Sequence, residues 1–416
     1  MQKLYITGGR PLEGTIKVGG AKNAALTIIS AALLACEPVY IENIPNITDV
    51  RILLDIISNL GVKINYPTEN TVEISTPSSI ETKTPYKEVK KLRASNLLLG
   101  SLLARFRNAE IALPGGCNIG SRPMDLHIKG LQALGAKINL EHGFIKGTCS
   151  SLTGAKIYLD FPSVGATENI MMAASLAKGQ TILENVAKEP EIVDLANFLN
   201  SLGARIRGAG TDVIKVEGVE QLGGGCYSVI PDRIEAGTFM VAAAATKGDL
   251  LIEHVIPTHI EPLIAKLREA NVEIIEGDDS IRVVARDTLK SIDIKTLPYP
   301  GFPTDLQSQM MAMLTCVKGT SVIVENVFEN RLQVADELKR MGAKIKVEGR
   351  TAIIQGMKKL QGAQVKASDL RSGAALIIAG LVAEGETEIC NTHYIDRGYE
   401  KIETKLKSVG AKIVRG

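Results

Sequence analysis

Between Pro114 and Pro123 the chain reads Pro-Gly-Gly-Cys-Asn-Ile-Gly-Ser-Arg-Pro. Gly115 and Gly116 permit backbone conformations closed to other residues and let a ligand approach the main chain. Five residues after Cys117 stands Arg122, whose planar guanidinium can grip a phosphate or a carboxylate. A thiol beside a fixed positive charge on a glycine-flanked segment has the makings of a reactive group that meets an anionic substrate. A second candidate is Lys22 with Asn23, which follow Gly19-Gly20 and open an apolar stretch of helical character. Helix N-termini attract anions, and a lysine there adds a full charge. On local pattern alone Lys22 reads equally well as a solvated lysine, and no P-loop spacing accompanies it. Asp305, in Phe-Pro-Thr-Asp, also precedes an apolar stretch. It reads first as a helix cap, and second as an ionised acceptor able to orient or deprotonate a hydroxyl. Arg93, Arg371 and Arg397 each fall near an expected strand or helix end, where an arginine is more often half of a surface ion pair.

These residues sit in a chain whose bulk properties exclude several classes. Its 416 residues call for two or more domains. Apolar content of 45% and charged content of 23% are those of a soluble globular protein. A net charge of +2 gives no pull toward nucleic acid or acidic membranes, and 4% aromatics without Trp offers no base-stacking platform. Six scattered cysteines lack the spacing of a zinc site or of a disulfide framework. No signal-peptide core opens the chain, and no apolar run reaches the length of a membrane span. The expectation is a cytoplasmic protein with reduced thiols, with neither metal nor cofactor.

The elements that must position these residues come as a repeat. Leu60-Gly-Val-Lys-Ile returns as Leu134-Gly-Ala-Lys-Ile, Leu202-Gly-Ala-Arg-Ile, Ala270-Asn-Val-Glu-Ile, Met341-Gly-Ala-Lys-Ile and Val409-Gly-Ala-Lys-Ile. The third positions step by 74, 68, 68, 71 and 68 residues, so six units of about 70 account for nearly the whole chain. In each unit an alternating strand leads to an amphipathic helix, such as 49–60 or 331–341, and the motif glycine suits its C-terminal cap. Each unit also holds a second helix, apolar nearly all round, at 23–34, 95–104, 168–177, 235–245, 305–316 and 372–383. A helix with no polar face must be buried. The strands alternate and read as half exposed. The predicted fold is therefore α/β with central helices and outer sheets: two inside-out barrels of three repeats each. The first domain is placed at 22–229 and the second at 1–21 with 230–416. A substrate cleft between the two halves is expected, and Gly223-Gly224-Gly225 reads equally as a hinge or a surface turn.

The motifs together resemble one family. Gly19-Gly-Ala-Lys-Asn23, Leu92-Arg-Ala-Ser95, the segment 114–123 with Met124-Asp-Leu-His127, and Ser163-Val-Gly-Ala-Thr167 carry the likeness in the first half. Pro231-Asp-Arg-Ile-Glu235, Phe302-Pro-Thr-Asp305, Asp369-Leu-Arg371 and Ile395-Asp-Arg-Gly-Tyr399 carry it in the second. From end to end the chain resembles the UDP-N-acetylglucosamine 1-carboxyvinyltransferases, enolpyruvyl transferases that begin peptidoglycan synthesis. The resemblance implies two inside-out α/β barrels. It implies two substrates, phosphoenolpyruvate and UDP-N-acetylglucosamine: the sugar 3′-hydroxyl adds to the central carbon of phosphoenolpyruvate, and phosphate then leaves the tetrahedral intermediate. Cys117 takes the place of the family's general acid, the thiol that fosfomycin alkylates. Asp305 serves the sugar hydroxyl. Lys22, Arg122 and Arg397 form the clamp for phosphate and carboxylate, with Arg371 also at the substrate. Asn23, Arg93, Pro123, Met124, Asp125, Leu126, Val164, Gly165 and Val327 match the nucleotide-sugar contacts. Glu189 and Glu191 match carboxylates near the family's cleft and are left outside the site. The resemblance also suggests that the sugar nucleotide binds first and that the cysteine segment then closes.

Leu97 stands where the family often has Trp, and Phe161-Pro162 where some members have a lysine, which puts the diphosphate contacts in doubt rather than the reaction. Three other readings stay open. The acceptor could be shikimate 3-phosphate, a reaction that does not need Cys117. The chain could be a non-catalytic sugar-nucleotide-binding paralogue, against which Lys22, Cys117, Asp305 and Arg397 argue. It could be a repeat-built scaffold, which would leave the cysteine segment without purpose.

Overall fold

The structure, a computed structural model, describes residues 2–113, 124–286 and 288–416. Its described residues divide into two compact units, one from Gly20 to Ile230, the other joining the N-terminal stretch through Gly19 to Pro231–Gly416. No helix among the described residues is long and apolar enough to cross a membrane.

Each unit is organised by three helices that have almost no polar face. In the first these are Lys22–Ala32, Leu98–Phe106 and Val164–Ser175. In the second they are Arg233–Ala245, Gln307–Leu314 and Leu370–Val382. Every residue of Lys22–Ala32 from Ala24 onward is buried, as is all of Gln307–Leu314. Burying such a surface on all sides leaves only the centre of the unit available. Small residues let the helices approach closely: a Cβ on Gly100 would lie 2.3 Å from the Asn169 carbonyl oxygen of the neighbouring helix. The other helices are one-sided. Thr48–Asn59 buries Val50, Leu53, Leu54, Ile56 and Ile57 and turns Arg51 and Asp55 outward.

The strands cover the helices from outside. Among the described residues they form six sheets; five have four strands on one plan, and the sixth, Asn108–Ala112 with Phe144–Thr148 and Lys137–Glu141, has three. Thr320–Val324 illustrates the plan: Ile294–Lys295 pairs with it in parallel, Thr351–Gln355 antiparallel, and Lys344–Glu348 closes the hairpin. Alternate residues such as Ala352 and Ile354 point to the helices, and their neighbours face solvent, as period-two side chains must. The last sheet keeps this strand order but takes its third strand from the other chain end. Leu4–Thr7 lies between Glu386–Cys390 and Lys412–Arg415, antiparallel to both. Glu13–Lys17 likewise pairs in parallel with Asp249–Glu253, which is why the N-terminal strands belong to the second unit.

Several elements differ in detail from the sequence reading. The helix expected at 95–104 begins as a 3-10 turn, Arg93–Leu97, and becomes α-helical at Leu98. The helix expected from Asp305 begins as a 3-10 turn, Thr304–Leu306, and becomes α-helical at Gln307. The helix expected at 331–341 likewise opens as a 3-10 turn, Arg331–Gln333. Gly223-Gly224-Gly225 lies within the first unit, where its N–H groups donate to Leu202 O, Glu37 and Pro38 O, and Gly225 begins a strand.

The repeat motif has a conformational reason. Its glycines Gly61, Gly135, Gly203, Gly342 and Gly410 have φ between 91° and 103°. This is the left-handed position that follows a helix, where a Cβ is penalised. In the degenerate fourth copy the place is taken by Asn271, at φ 70°, and asparagine tolerates this region best among residues with a side chain. Space is not the issue at Gly61, where a Cβ would meet nothing within 4 Å. Gly61→Ala is therefore expected to destabilise its unit by about 1–2 kcal/mol through backbone strain alone. Asn271→Gly should be neutral to within about 0.5 kcal/mol. Urea unfolding of the two variants checks both; a neutral Gly61→Ala would remove the capping explanation.

Candidate active site

In the first unit the predicted residues gather at the starts of helices. Lys22 is the first residue of Lys22–Ala32, and its Nζ lies 2.7 Å from Oδ2 of Asp49. Asp49, in the first turn of Thr48–Asn59, is only 1% exposed. A lysine over a buried carboxylate is an oriented charge rather than a solvated one, because neither group can leave without stranding the other. The sequence reading treated Asp49 only as a helix start; its acidic side chain in the first turn was the available signal. Asn23 follows, with its side chain exposed.

A second network ties together the remaining first-unit candidates. Asn169 accepts from the Gly100 N–H at Oδ1 (2.8 Å), which fixes the orientation of its amide. Its Nδ2 then donates to the Asn96 carbonyl (3.0 Å) and to Nδ1 of His127 (2.8 Å). His127 is therefore the tautomer with its proton on Nε2. Burial, reinforced by the nearby charge of Arg93, holds its pKa down at about 4. Asn96 also donates to Met124 Sδ at 3.2 Å. The turn Arg93–Leu97, Met124 with the first turn of Asp125–Ala133, and the middle of Val164–Ser175 are thus joined by one set of hydrogen bonds. A Cβ on Gly165 would sit 3.1 Å from His127 Cε1, so the ring packs on bare backbone there. Arg93, Leu126, Val164 and Gly165 are half-buried, Met124 is buried and Asp125 is exposed.

In the second unit the centre is Asp305. Its side chain caps no helix; instead two buried arginines hold it. Arg331 Nη1 lies 2.8 Å from Oδ1, while Arg371 donates to Oδ2 from Nη2 (2.8 Å) and Nε (3.1 Å). The two guanidiniums are 3% and 4% exposed, the carboxylate 25%. Arg371 Nη1 donates to the Tyr399 hydroxyl at 3.2 Å, and that hydroxyl meets Thr238 Oγ1 at 2.8 Å. Burial works against the charge of Arg371, but Asp305 and its other neighbours outweigh it and raise its pKa further. Arg371 is thus an internal clamp on Asp305 and no surface ion-pair residue. Asp369 starts its helix with a capping box, accepting from the N–H groups of Arg371 and Ser372. Arg331 was missed as a site candidate because its position, after a polar turn, reads as an ordinary helix start. Buried Glu325 braces the neighbourhood: it accepts from Thr304, next to Asp305, and from the Val327 N–H. Arg397 ends the 3-10 turn Thr392–Arg397 and is half-buried. Cys117, Arg122 and Pro123 lie outside the described residues.

Comparison with known proteins agrees in sequence and in fold. A family model described as EPSP synthase (3-phosphoshikimate 1-carboxyvinyltransferase) matches residues 6–406. UDP-N-acetylglucosamine 1-carboxyvinyltransferase 2 of Carboxydothermus hydrogenoformans is 57% identical over 417 aligned positions, which cover 100% of this chain and 99% of that one. The chain belongs to the UDP-N-acetylglucosamine 1-carboxyvinyltransferase family. A second member of this family, UDP-N-acetylglucosamine 1-carboxyvinyltransferase 1 of Caldanaerobacter subterraneus subsp. tengcongensis, is 56% identical over 99% of both chains. Among solved structures, the enolpyruvyl transferase NikO from Streptomyces tendae superposes with a TM-score of 0.89 at 25% identity, covering 100% of this chain and 98% of that one. The fold is that of the enolpyruvyl transferases, with helices inside each unit and sheets outside.

The His127 network predicts a pH dependence. Unfolded, the imidazole would titrate near 6.5; folded, it stays neutral down to about 4. Between these values the unfolded chain binds the extra proton, so stability is complete above the upper value and is lost as pH falls toward the lower. Melting temperatures between pH 7 and 4.5 should show this loss, and His127→Gln, which has no titrating proton, should flatten it. An equal slope in both proteins would exclude His127 as its source.

Proposed function

We propose that this protein transfers the enolpyruvyl group of phosphoenolpyruvate to the 3′-hydroxyl of UDP-N-acetylglucosamine with release of phosphate, the first committed step of peptidoglycan synthesis. The observation that carries this reading is the full-length identity of 57% with a relative of that name. Lys22, Cys117, Asp305 and Arg397 are all present in the chain. The fitting location is the cytoplasm.

In the proposed chemistry Lys22, Arg122 and Arg397 gather the phosphate and carboxylate of phosphoenolpyruvate, whose charges need several fixed donors. The sugar hydroxyl oxygen bonds to the central carbon while the Cys117 thiol protonates the methylene carbon. Asp305 accepts the hydroxyl proton. The resulting tetrahedral ketal then loses a methyl proton and phosphate, restoring the double bond. Arg331 and Arg371 give Asp305 a defined direction, which suits an acceptor that must find one hydroxyl. Asn23, Arg93, Met124, Asp125, Leu126, Val164, Gly165 and Val327, with Pro123, are assigned to the nucleotide sugar.

The name of the matching family model keeps shikimate 3-phosphate as the second acceptor to test. Phosphate release from phosphoenolpyruvate is expected with UDP-N-acetylglucosamine and absent with either shikimate 3-phosphate or no acceptor; release with shikimate 3-phosphate alone would replace the proposal. Cys117→Ser should lower kcat by about 10²–10⁴-fold, the usual worth of a general acid, while sugar-nucleotide binding persists. Cys117→Asp, which retains a proton donor, should keep part of the turnover and resist fosfomycin. Asp305→Ala should depress kcat more than it weakens binding, and the opposite pattern would make its role structural.

A further inference from the structure

Glu168 lies in the first half of helix Val164–Ser175, 4% exposed, where the mechanism makes no use of it. Its Oε1 is 2.9 Å from Thr27 Oγ1 in the neighbouring central helix. The same hydroxyl is 3.0 Å from the carbonyl oxygen of Asn23. A hydroxyl has a single proton, whereas the carbonyl can only accept. If Glu168 were ionised, it too could only accept, and one proton would have to serve two acceptors. If Glu168 is protonated, its O–H donates to Thr27 and the Thr27 proton goes to Asn23, so that every contact has its own donor.

The surroundings favour the protonated form. Burial pushes the Glu168 carboxyl up to about 8; the Thr27 contact opposes this, and Glu191 and Glu189, at the start of helix Pro190–Ser201, reinforce it. The other elements packed on Val164–Ser175 present Ser101, which meets Met172, neutral His127 and, from the turn Arg93–Leu97, Arg93, whose charge is felt at His127; none of these is among the groups that shift Glu168. We propose that Glu168 is a positioning residue: as a neutral acid it donates to Thr27, and Thr27 in turn fixes the Asn23 carbonyl and the first turn of the helix that carries Lys22 and Asn23. This rests on the assignment of those two residues to the substrate site. Ionisation of Glu168 takes the Thr27 proton away from Asn23 and places a third negative charge beside Glu189 and Glu191. The turn that presents Lys22 is then released.

The test compares wild type with Glu168→Gln, whose amide N–H can donate to Thr27 but does not titrate. Two quantities are followed from pH 6.5 to 9: the KM for UDP-N-acetylglucosamine and the melting temperature. In wild type, melting temperature should fall from pH 6.5 to about 8, where the folded protein holds a proton that the unfolded chain has lost, and level off above; KM should rise as Glu168 ionises around pH 8. The Gln variant should match the wild-type KM at pH 6.5 and show flatter curves. Thr27→Val should raise KM at pH 6.5 by roughly tenfold, the worth of one buried hydrogen bond, and Thr27→Ser should restore it. Identical alkaline slopes of KM in wild type and Glu168→Gln overturn the proposal. So does a melting slope that flattens while the KM slope persists, since Glu168 would then serve stability alone. Should wild type fail to turn over this substrate pair at all, the proposed function falls, while the melting curves still report on the protonation of Glu168.

Discussion

Six helices without a polar face are the constraint from which the rest follows. Water cannot border such a helix on any side, so each unit must enclose three of them, and the sheets are left to form the outer wall. Enclosing a helix also encloses its ends. The first N–H groups of a helix have no partner within it, and in the middle of a unit they must be met by side chains or left open to a ligand. Ser163, Asp232 and Asp369 meet them at three of the six central helices. Lys22–Ala32, Leu98–Phe106 and Gln307–Leu314 have no side-chain cap; the first begins at Lys22 and the last just after Asp305. Lys22 and Asp305 thus stand at helix starts that no side chain caps, whereas Val164, Gly165 and Arg371 stand at capped ones.

Charge in these places is held by pairing. Lys22 has Asp49, and Asp305 has Arg331 and Arg371, with partners buried almost completely. Such pairs gain little net stability, because desolvation offsets the attraction, but removing one member leaves an uncompensated charge. What they supply is direction. A side chain bound to a rigid partner keeps its geometry before any substrate arrives, which is the condition for electrostatic stabilisation of a transition state. Neutral groups share the work. His127 accepts from Asn169 and cannot readily gain a proton, so the joint between the three elements it links stays uncharged over the physiological range.

The division between what was legible in the chain and what was not follows from the range of the interactions. Local and periodic features could be read from the residues: the six-fold repeat, the buried helices, the alternating strands, and the glycine after each amphipathic helix with Asn271 as its one substitute. Each depends on conformational preferences within a few residues, or on a period that recurs along the chain. The family motifs likewise singled out Lys22, Cys117, Asp305 and Arg397 as candidates. The partners did not announce themselves. Asp49, Arg331 and Thr27 stand at ordinary helix positions, and only packing brings them to their counterparts; Asp305 and Arg371 are 66 residues apart and Thr27 and Glu168 are 141 apart. Burial of these side chains, and with it their protonation, is a property of the assembled unit. The sequence alone therefore determined which helices must lie inside and which residue types wait at their ends. Only the tertiary structure decided which charges face each other and which carboxyl stays neutral, because those depend on distance and desolvation, quantities that exist only once the chain has folded.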